Sequence, residues 1–162
     1  QTLNKLSSTY YSKKSFNNKY GVPLSLSNIK KNNQNGVFEV GMNKFGEIDR
    51  LSKLIIPNVG VITNISYAHI KNFNSIKGIA EAKAEIIKNI ASGGRIILNA
   101  DDVFYNFFKE RALNRGLKII SFSIKNQSDF QFLEVSLNHT FFKKVSEAHA
   151  DSNEFKCQQG RV

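Results

Sequence analysis

Tryptophan is absent, and cysteine and methionine occur once each. The lone Cys157 cannot form an internal disulfide, and no Cys–His spacing of the zinc-binding kind is present. A reducing, cytoplasmic setting is therefore expected. Long apolar runs are also missing. Nowhere do roughly 18 apolar residues follow one another, so no membrane span is expected. The opening residues Gln1-Thr2-Leu3-Asn4-Lys5 lack the apolar stretch of a signal peptide. Acidic residues are the minority, with 13 Asp+Glu against 23 Lys+Arg, a net charge of +10. Such an excess suits nucleic acid, an anionic membrane surface or a phosphorylated small molecule. The lysines are scattered among asparagines, as in Lys13-Lys14, Lys30-Lys31 and Lys143-Lys144, and no base-stacking aromatics alternate with them. The charge reads as a solvated basic surface, and no nucleic-acid partner is expected.

What is present suffices for a core. At 162 residues and 41% hydrophobic the chain has the size and apolar content of one domain or a domain with a tail, and disorder along its length is excluded. Apolar runs alternate with helix-period segments, the pattern of an α/β fold with a mainly parallel sheet flanked by helices. Strands are predicted over Val37–Val40, Val59–Ile65, Arg95–Leu98, Leu117–Ile124 and Phe130–Leu137. Helices are predicted over Gly46–Ile56, from a Ser75 cap to about Ala91, and from Asp101-Asp102 to Asn114. Pro57, Gly93-Gly94 and Gly116 close them. Residues 1 to 20 open as if midway through a helix. The reading divides the chain into a domain over 1–138 and a divergent polar tail over 139–162.

Ligands of open parallel sheets gather outside the carboxyl ends of the strands. Glu39 falls in an otherwise apolar stretch beside Gly41, His69 just past the Val59–Ile65 strand, and Asn99, Asp101 and Asp102 after the third strand. Glu39, His69 and Asn99 are expected at one carboxyl edge. Each also has a plainer explanation. Glu39 could face water from an edge strand, His69 could be a surface residue, and the aspartates could cap a helix. Lys83 is more unusual. Ile76, Ile79, Ala80, Ile87 and Ile90 form a helical stripe on which Lys83 takes the i+7 place, near the middle of the buried face. It either snorkels, stem in the core and head in water, or presents its amine, or a modified form, to a ligand. Gly36 and Gly41 have P-loop spacing, but Met42-Asn43 follows where Lys-Ser/Thr is required, so no Walker A sequence exists here.

Several blocks, in consistent order, resemble the ATP-dependent Mur ligases: Asn17-Asn18-Lys19-Tyr20-Gly21-Val22-Pro23, Phe38-Glu39-Val40-Gly41-Met42-Asn43 and Gly46-Glu47-Ile48. Thr63-Asn64-Ile65 with Ala68-His69, Glu81-Ala82-Lys83-Ala84-Glu85-Ile86 and Asn99-Ala100-Asp101-Asp102 complete the set. The resemblance covers about residues 3 to 137. The Gly-Met-Asn and Gly-Val-Pro stretches resemble the branch that joins D-alanyl-D-alanine to a nucleotide-sugar tripeptide, rather than the folylpolyglutamate synthases. The resemblance implies a P-loop-type central domain using ATP and magnesium, acting through an acyl phosphate as a cytoplasmic monomer. It implies that Glu39 and His69 hold magnesium, that Lys83 is carbamylated and catalytic with His69, and that Asn17 and Asn18 meet substrate. Asn99 and Asp101 would contact the nucleotide. Ser15 stands where the family usually has a further Asn. The family's P-loop would precede Gln1, so these 162 residues alone are expected to make no amide bond. The alternative is a degenerate domain of the same kind that only binds nucleotide or a protein partner.

Overall fold

The computed structural model describes residues 2–13, 15–68, 70–135, 139–144 and 154–158, with side chains as far as residue 132. The chain divides into two compact units, residues 1–57 with 67–89, and residues 58–66 with 90–162.

The first unit is mainly helical. Helix α1 (Thr2–Leu6) leads into strand β1 (Thr9–Tyr11), helix α2 (Gly21–Ser27) and strand β2 (Asn35–Val37). The two strands pair in parallel, Thr9 opposite Asn35 and Tyr11 opposite Val37. The predicted strand over Val37–Val40 is therefore misplaced, and the ladder explains why. Ser12 donates the last ladder bond to the Val37 carbonyl, after which the partner strand has ended and β2 has nothing to pair with. Helix α3 (Glu47–Ile55), helix α4 (Ile70–Phe73) and helix α5 (Ile76–Asn89) follow, and α3 packs on α5. The buried side chains Ile48, Leu51, Ile79, Ala80 and Ile87 recur at helical spacing and form the core. Ser75 caps α5 as predicted, its Oγ accepting the Gly78 N–H at 3.0 Å.

The second unit is a six-stranded sheet in the order β3-β4-β5-β6-β7-β8. Strands β3 (Val59–Ile62), β4 (Arg95–Asn99), β5 (Lys118–Ser123) and β6 (Phe130–Val135) run in parallel, with Val59 opposite Arg95 and Arg95 opposite Lys118. Strands β7 (His139–Lys144) and β8 (Glu154–Gln158) add antiparallel to one side. The stretch read as a divergent polar tail thus contributes two paired strands. Helix α6 (Tyr105–Asn114) packs across β4 and β5 through Phe108 and Ala112, both buried. It starts at Tyr105 and not at Asp101, because the two aspartates are bonded to other loops and the chain turns before it coils.

Helix α3 ends on an unusual residue. Ile56 has φ 49° and ψ 64°, the left-handed region that a β-branched side chain resists, and it is 63% exposed. The cap nonetheless forms, with the Ile56 N–H donating to the Ser52 carbonyl at 2.8 Å. Left-handed backbone costs an ordinary L-residue about 1–2 kcal/mol, and Asn visits it more readily because its short polar side chain can hydrogen-bond locally. Ile56→Asn should therefore stabilise the domain by about 0.5–1 kcal/mol, read as a higher urea midpoint at unchanged slope. A lower midpoint would show that the exposed Ile side chain contributes more than the backbone strain costs.

Candidate functional site

The first unit brings together two motif blocks that are 22 residues apart in sequence. Asn17 Nδ2 donates to Glu39 Oε1 at 2.7 Å, and the Asn17 carbonyl accepts the Gly41 N–H at 2.8 Å. A Cβ at Gly41 would stand 2.9 Å from Asn17 Cγ, so a larger residue there would push the Asn17 amide out of this position. Asn18 turns the chain into α2, its Oδ1 accepting the Tyr20 and Gly21 N–H groups, both at 3.0 Å. Gly21 is the more tightly constrained, since a Cβ there would lie 2.5 Å from the backbone Cα of Phe16. Glu39 itself is exposed, just beyond the carboxyl end of β2, with one carboxylate oxygen oriented by Asn17.

A cleft of about 320 Å³ opens beside this pair, lined by Asn17, Asn18, Lys19, Tyr20, Gly41, Met42, Asn43 and the start of α3. Two carboxylates hold that helix start in place. Glu85 Oε1 accepts the Gly46 N–H at 2.7 Å and its Oε2 the Asp49 N–H at 3.0 Å, which caps α3 from the neighbouring helix α5. Glu47 Oε2 accepts the Asn43 and Lys44 N–H groups at 2.6 and 3.2 Å. The Asn43 N–H, foremost, holds the Glu47 carboxyl below its usual value against desolvation, with Lys44 and Arg50 adding to the effect. Arg50 and Leu51 complete the wall.

Lys83 lies on α5 between the buried Ala82 and Ala84 and is itself half-buried. His69 lies outside the described residues. Among the described residues no group of three or more His, Cys, Asp and Glu side chains gathers in a way that could hold a metal ion. Glu39 supplies a single hard oxygen donor of the type magnesium accepts alongside water.

In the second unit, Asn99 is the last residue of β4, at the carboxyl end of the sheet. Its Oδ1 accepts the Asp101 N–H at 2.9 Å. Asp101 reaches the turn after β5, accepting the Ile124 N–H at 2.5 Å, the Asn126 N–H at 3.0 Å and the Lys125 N–H at 3.3 Å. Burial alone would raise its carboxyl, but the Ile124, Asn126 and Lys125 N–H groups outweigh burial and hold it below 3.8. Asp102 joins the Ile65 N–H at 2.6 Å to the Phe104 N–H at 2.8 Å. The three residues are thus built into the strand-end loops. Sequence reasoning missed Glu85, Glu47 and Arg50 as parts of a site. Glu47 and Glu85 stand inside motif blocks, yet nothing local shows which N–H groups they accept.

Residues 1–159 match the model of the Mur ligase middle domain. The chain belongs to this family. It is 33% identical over 146 residues to the UDP-N-acetylmuramoyl-tripeptide–D-alanyl-D-alanine ligase of Rickettsia prowazekii, covering 90% of this chain and 32% of that protein. The solved UDP-N-acetylmuramoylalanyl-D-glutamyl-2,6-diaminopimelate–D-alanyl-D-alanyl ligase from Acinetobacter baumannii superposes with TM-score 0.79 at 32% identity, over 96% of this chain and 33% of that one. A MurF ligase from Thermotoga maritima, solved in complex with ADP, gives TM-score 0.74 at 25% identity over 96% of this chain and 35% of its own. The chain therefore spans about a third of the length of these relatives. The middle-domain match takes in β7 and β8, which sequence reading placed outside the family pattern.

Two outcomes follow from the bonding of the carboxylates. Glu85→Ala leaves two N–H groups at the start of α3 without an acceptor, and loss of a cap costs about 1–2 kcal/mol. Urea unfolding should show that loss, with Glu85→Gln recovering part of it. Asp101 is held below 3.8 in the fold, so it binds fewer protons folded than unfolded near that pH. Its contribution is complete above the unfolded value and is lost as pH falls through the lower folded one. Carboxyl-carbon NMR should show Asp101 titrating below 3.8, and Asp101→Asn should flatten the acid limb of stability against pH. An Asp101 that titrates at or above that value would contradict the bonding.

Proposed function

We propose that this domain is the middle part of an ATP-dependent ligase that joins D-alanyl-D-alanine to a UDP-N-acetylmuramoyl-tripeptide in cell-wall precursor synthesis. The observation that carries the reading is the Asn17–Glu39 hydrogen bond of 2.7 Å, which fixes a carboxylate beside a polar cleft using two blocks shared with the ligases. The γ-phosphoryl group of ATP passes to the terminal carboxylate of the tripeptide, giving an acyl phosphate and ADP. The amine of D-alanyl-D-alanine attacks the acyl carbon and gives up a proton, and the tetrahedral adduct expels phosphate to leave the amide. Chemistry of this kind depends on positioning and on neutralising phosphate charge.

Magnesium, when bound, neutralises charge on the transferring phosphate, and Glu39 with His69 are the residues assigned to it. Asn17 orients Glu39 for that purpose and, with Asn18, faces the peptide substrate. Lys83 is assigned as a carbamate. Its neutral amine adds to carbon dioxide with loss of a proton, turning a cation within an apolar stripe into an anion. Asn99 is assigned to the nucleotide, and Asp101 acts there through the 124–126 turn that it holds.

The test is a hybrid enzyme in which residues 1–159 replace the matching segment of the Acinetobacter ligase, whose own preceding segment supplies the phosphate loop. Phosphate release should require both the tripeptide and D-alanyl-D-alanine, whereas the 162-residue chain alone should release none. In the hybrid, Lys83→Ala should lower turnover by about a hundredfold or more, the scale of losing one charge-stabilising group. Short carboxylates should restore part of it, and Lys83→Arg should not, since it retains the wrong charge. Near-normal turnover in either variant would return Lys83 to a snorkelling role. ATP binding without turnover in the hybrid would leave a binding module instead of a ligase.

A further inference from the structure

Of the chain's asparagines, only Asn35 is followed by glycine. It opens β2, a strand of three residues that are all exposed. Alternate residues of a parallel strand turn their N–H and C=O groups toward the partner. In β2 these are Asn35, whose N–H donates to the Ser8 carbonyl at 3.2 Å, and Val37, whose carbonyl accepts the Ser12 N–H at 3.0 Å. The Gly36 N–H between them therefore points away from β1. Among the described residues no strand pairs with β2 on that side. A Cβ at Gly36 would meet the Phe38 ring 2.8 Å away, and that ring lies 6.1 Å from the Tyr10 ring between centroids. The side chain of Asn35 is tethered through Nδ2, which donates to Ser7 Oγ.

A side-chain amide next to an unhindered backbone nitrogen can close on it, and glycine hinders its own nitrogen least. We propose that Asn35 is a self-modifying site, converted by Gly36 into aspartate and isoaspartate. The Gly36 nitrogen bonds to Asn35 Cγ, the Cγ–Nδ2 bond breaks, and the Gly36 proton leaves with the amide nitrogen as ammonia. Water then opens the cyclic imide. Opening at Cγ leaves aspartate, and opening at the backbone carbonyl leaves isoaspartate, whose main chain is one atom longer. An extended backbone keeps the Gly36 nitrogen away from Cγ, so the ring closes in the open state of β2. That opening is easy, because a two-stranded sheet is marginal by itself and exposed segments open first. Asn74 is the contrast. It is also exposed and also precedes a small residue, but the Ser75 N–H donates to the Phe73 carbonyl at 2.7 Å and Ser75 caps α5. There the attacking nitrogen is held by the fold. At residue 35 the extra atom displaces Val37 from Ser12 and, two residues on, Glu39 from Asn17. The chemistry needs only this chain and water, and it does not rest on the ligase reading.

The experiment is ageing of the 162-residue chain at neutral pH in water enriched in heavy oxygen, followed by digestion and peptide mass spectrometry. Residue 35 should lose its amide nitrogen and take up one heavy oxygen, with isoaspartate the larger product, several-fold faster than residue 74. Gly36→Ala should slow the uptake several-fold, and Asn35→Gln should stop it over the same period. NMR of the aged chain should show movement of the amides of residues 9–11 and 35–41 and of the Asn17 side-chain amide. The amides of α5 should stay in place, and Asn35→Gln aged in parallel should keep the whole spectrum. Uptake at residue 35 no faster than at residue 74, or a rate that Gly36→Ala leaves unchanged, would overturn the proposal. So would an isoaspartate form whose Asn17 and strand signals are those of the fresh chain.

Discussion

Backbone N–H groups at helix starts and strand-end turns have no partner within their own element, and away from bulk water each needs an acceptor. Carboxylates meet that need throughout this protein. Glu85 and Glu47 accept from the start of α3 and the loop before it, Asp101 and Asp102 from the turns at the carboxyl end of the sheet, and Asp129 from Ser121. Acidic residues are the minority, 13 against 23 basic ones, and Lys53–Asp49 at 2.7 Å is an ion pair between described residues. The negative charge works inside the structure, where hydrogen bonds to an ionised acceptor are stronger than those between neutral groups.

The two units solve the same problem in different ways. In the second unit the parallel strands supply the frame, and the aspartates only close its loops. Burial of Ile96, Leu98, Phe108 and Ala112 between sheet and helix α6 is the apolar effect at work, and it sets the register whatever the loops do. In the first unit little sheet exists, and the cleft depends on polar contacts. Gly41 against Asn17, Gly21 against Phe16 and Glu85 against α3 each place one segment within hydrogen-bond or van der Waals distance of another. Candidate ligand-handling groups therefore stand on loops whose shape is set by side chains.

Much of the fold could be read in the sequence, because hydrophobic period and punctuation are local signals. The helix from the Ser75 cap, the helix closed before Pro57 and the strands beginning at Val59, Arg95 and Phe130 all lie where spacing put them, with ends displaced by a few residues. The errors have one cause. Whether Val37–Val40 forms a strand depends on the length of β1, and whether α6 starts at Asp101 depends on which N–H groups the aspartates find. The strands after Asn138 were hidden because pairing at a sheet edge does not require a regular apolar face.

The sequence by itself determined the α/β class, the principal helices and parallel strands, the stripe that contains Lys83 and the family that the motif blocks resemble. Period, glycine and cap signals act over a few residues and need no distant partner, so they survive in one dimension. Only the tertiary structure decided that Asn17 orients Glu39, that Glu85 caps a helix 39 residues before it through Gly46, and that Glu47 and Arg50 share a cleft wall. It also decided that Asp101 holds the turn after β5. Each of these is a hydrogen bond or charge placement between segments far apart in the chain. Such a bond depends on where the backbone of the second segment comes to lie, which no local pattern specifies.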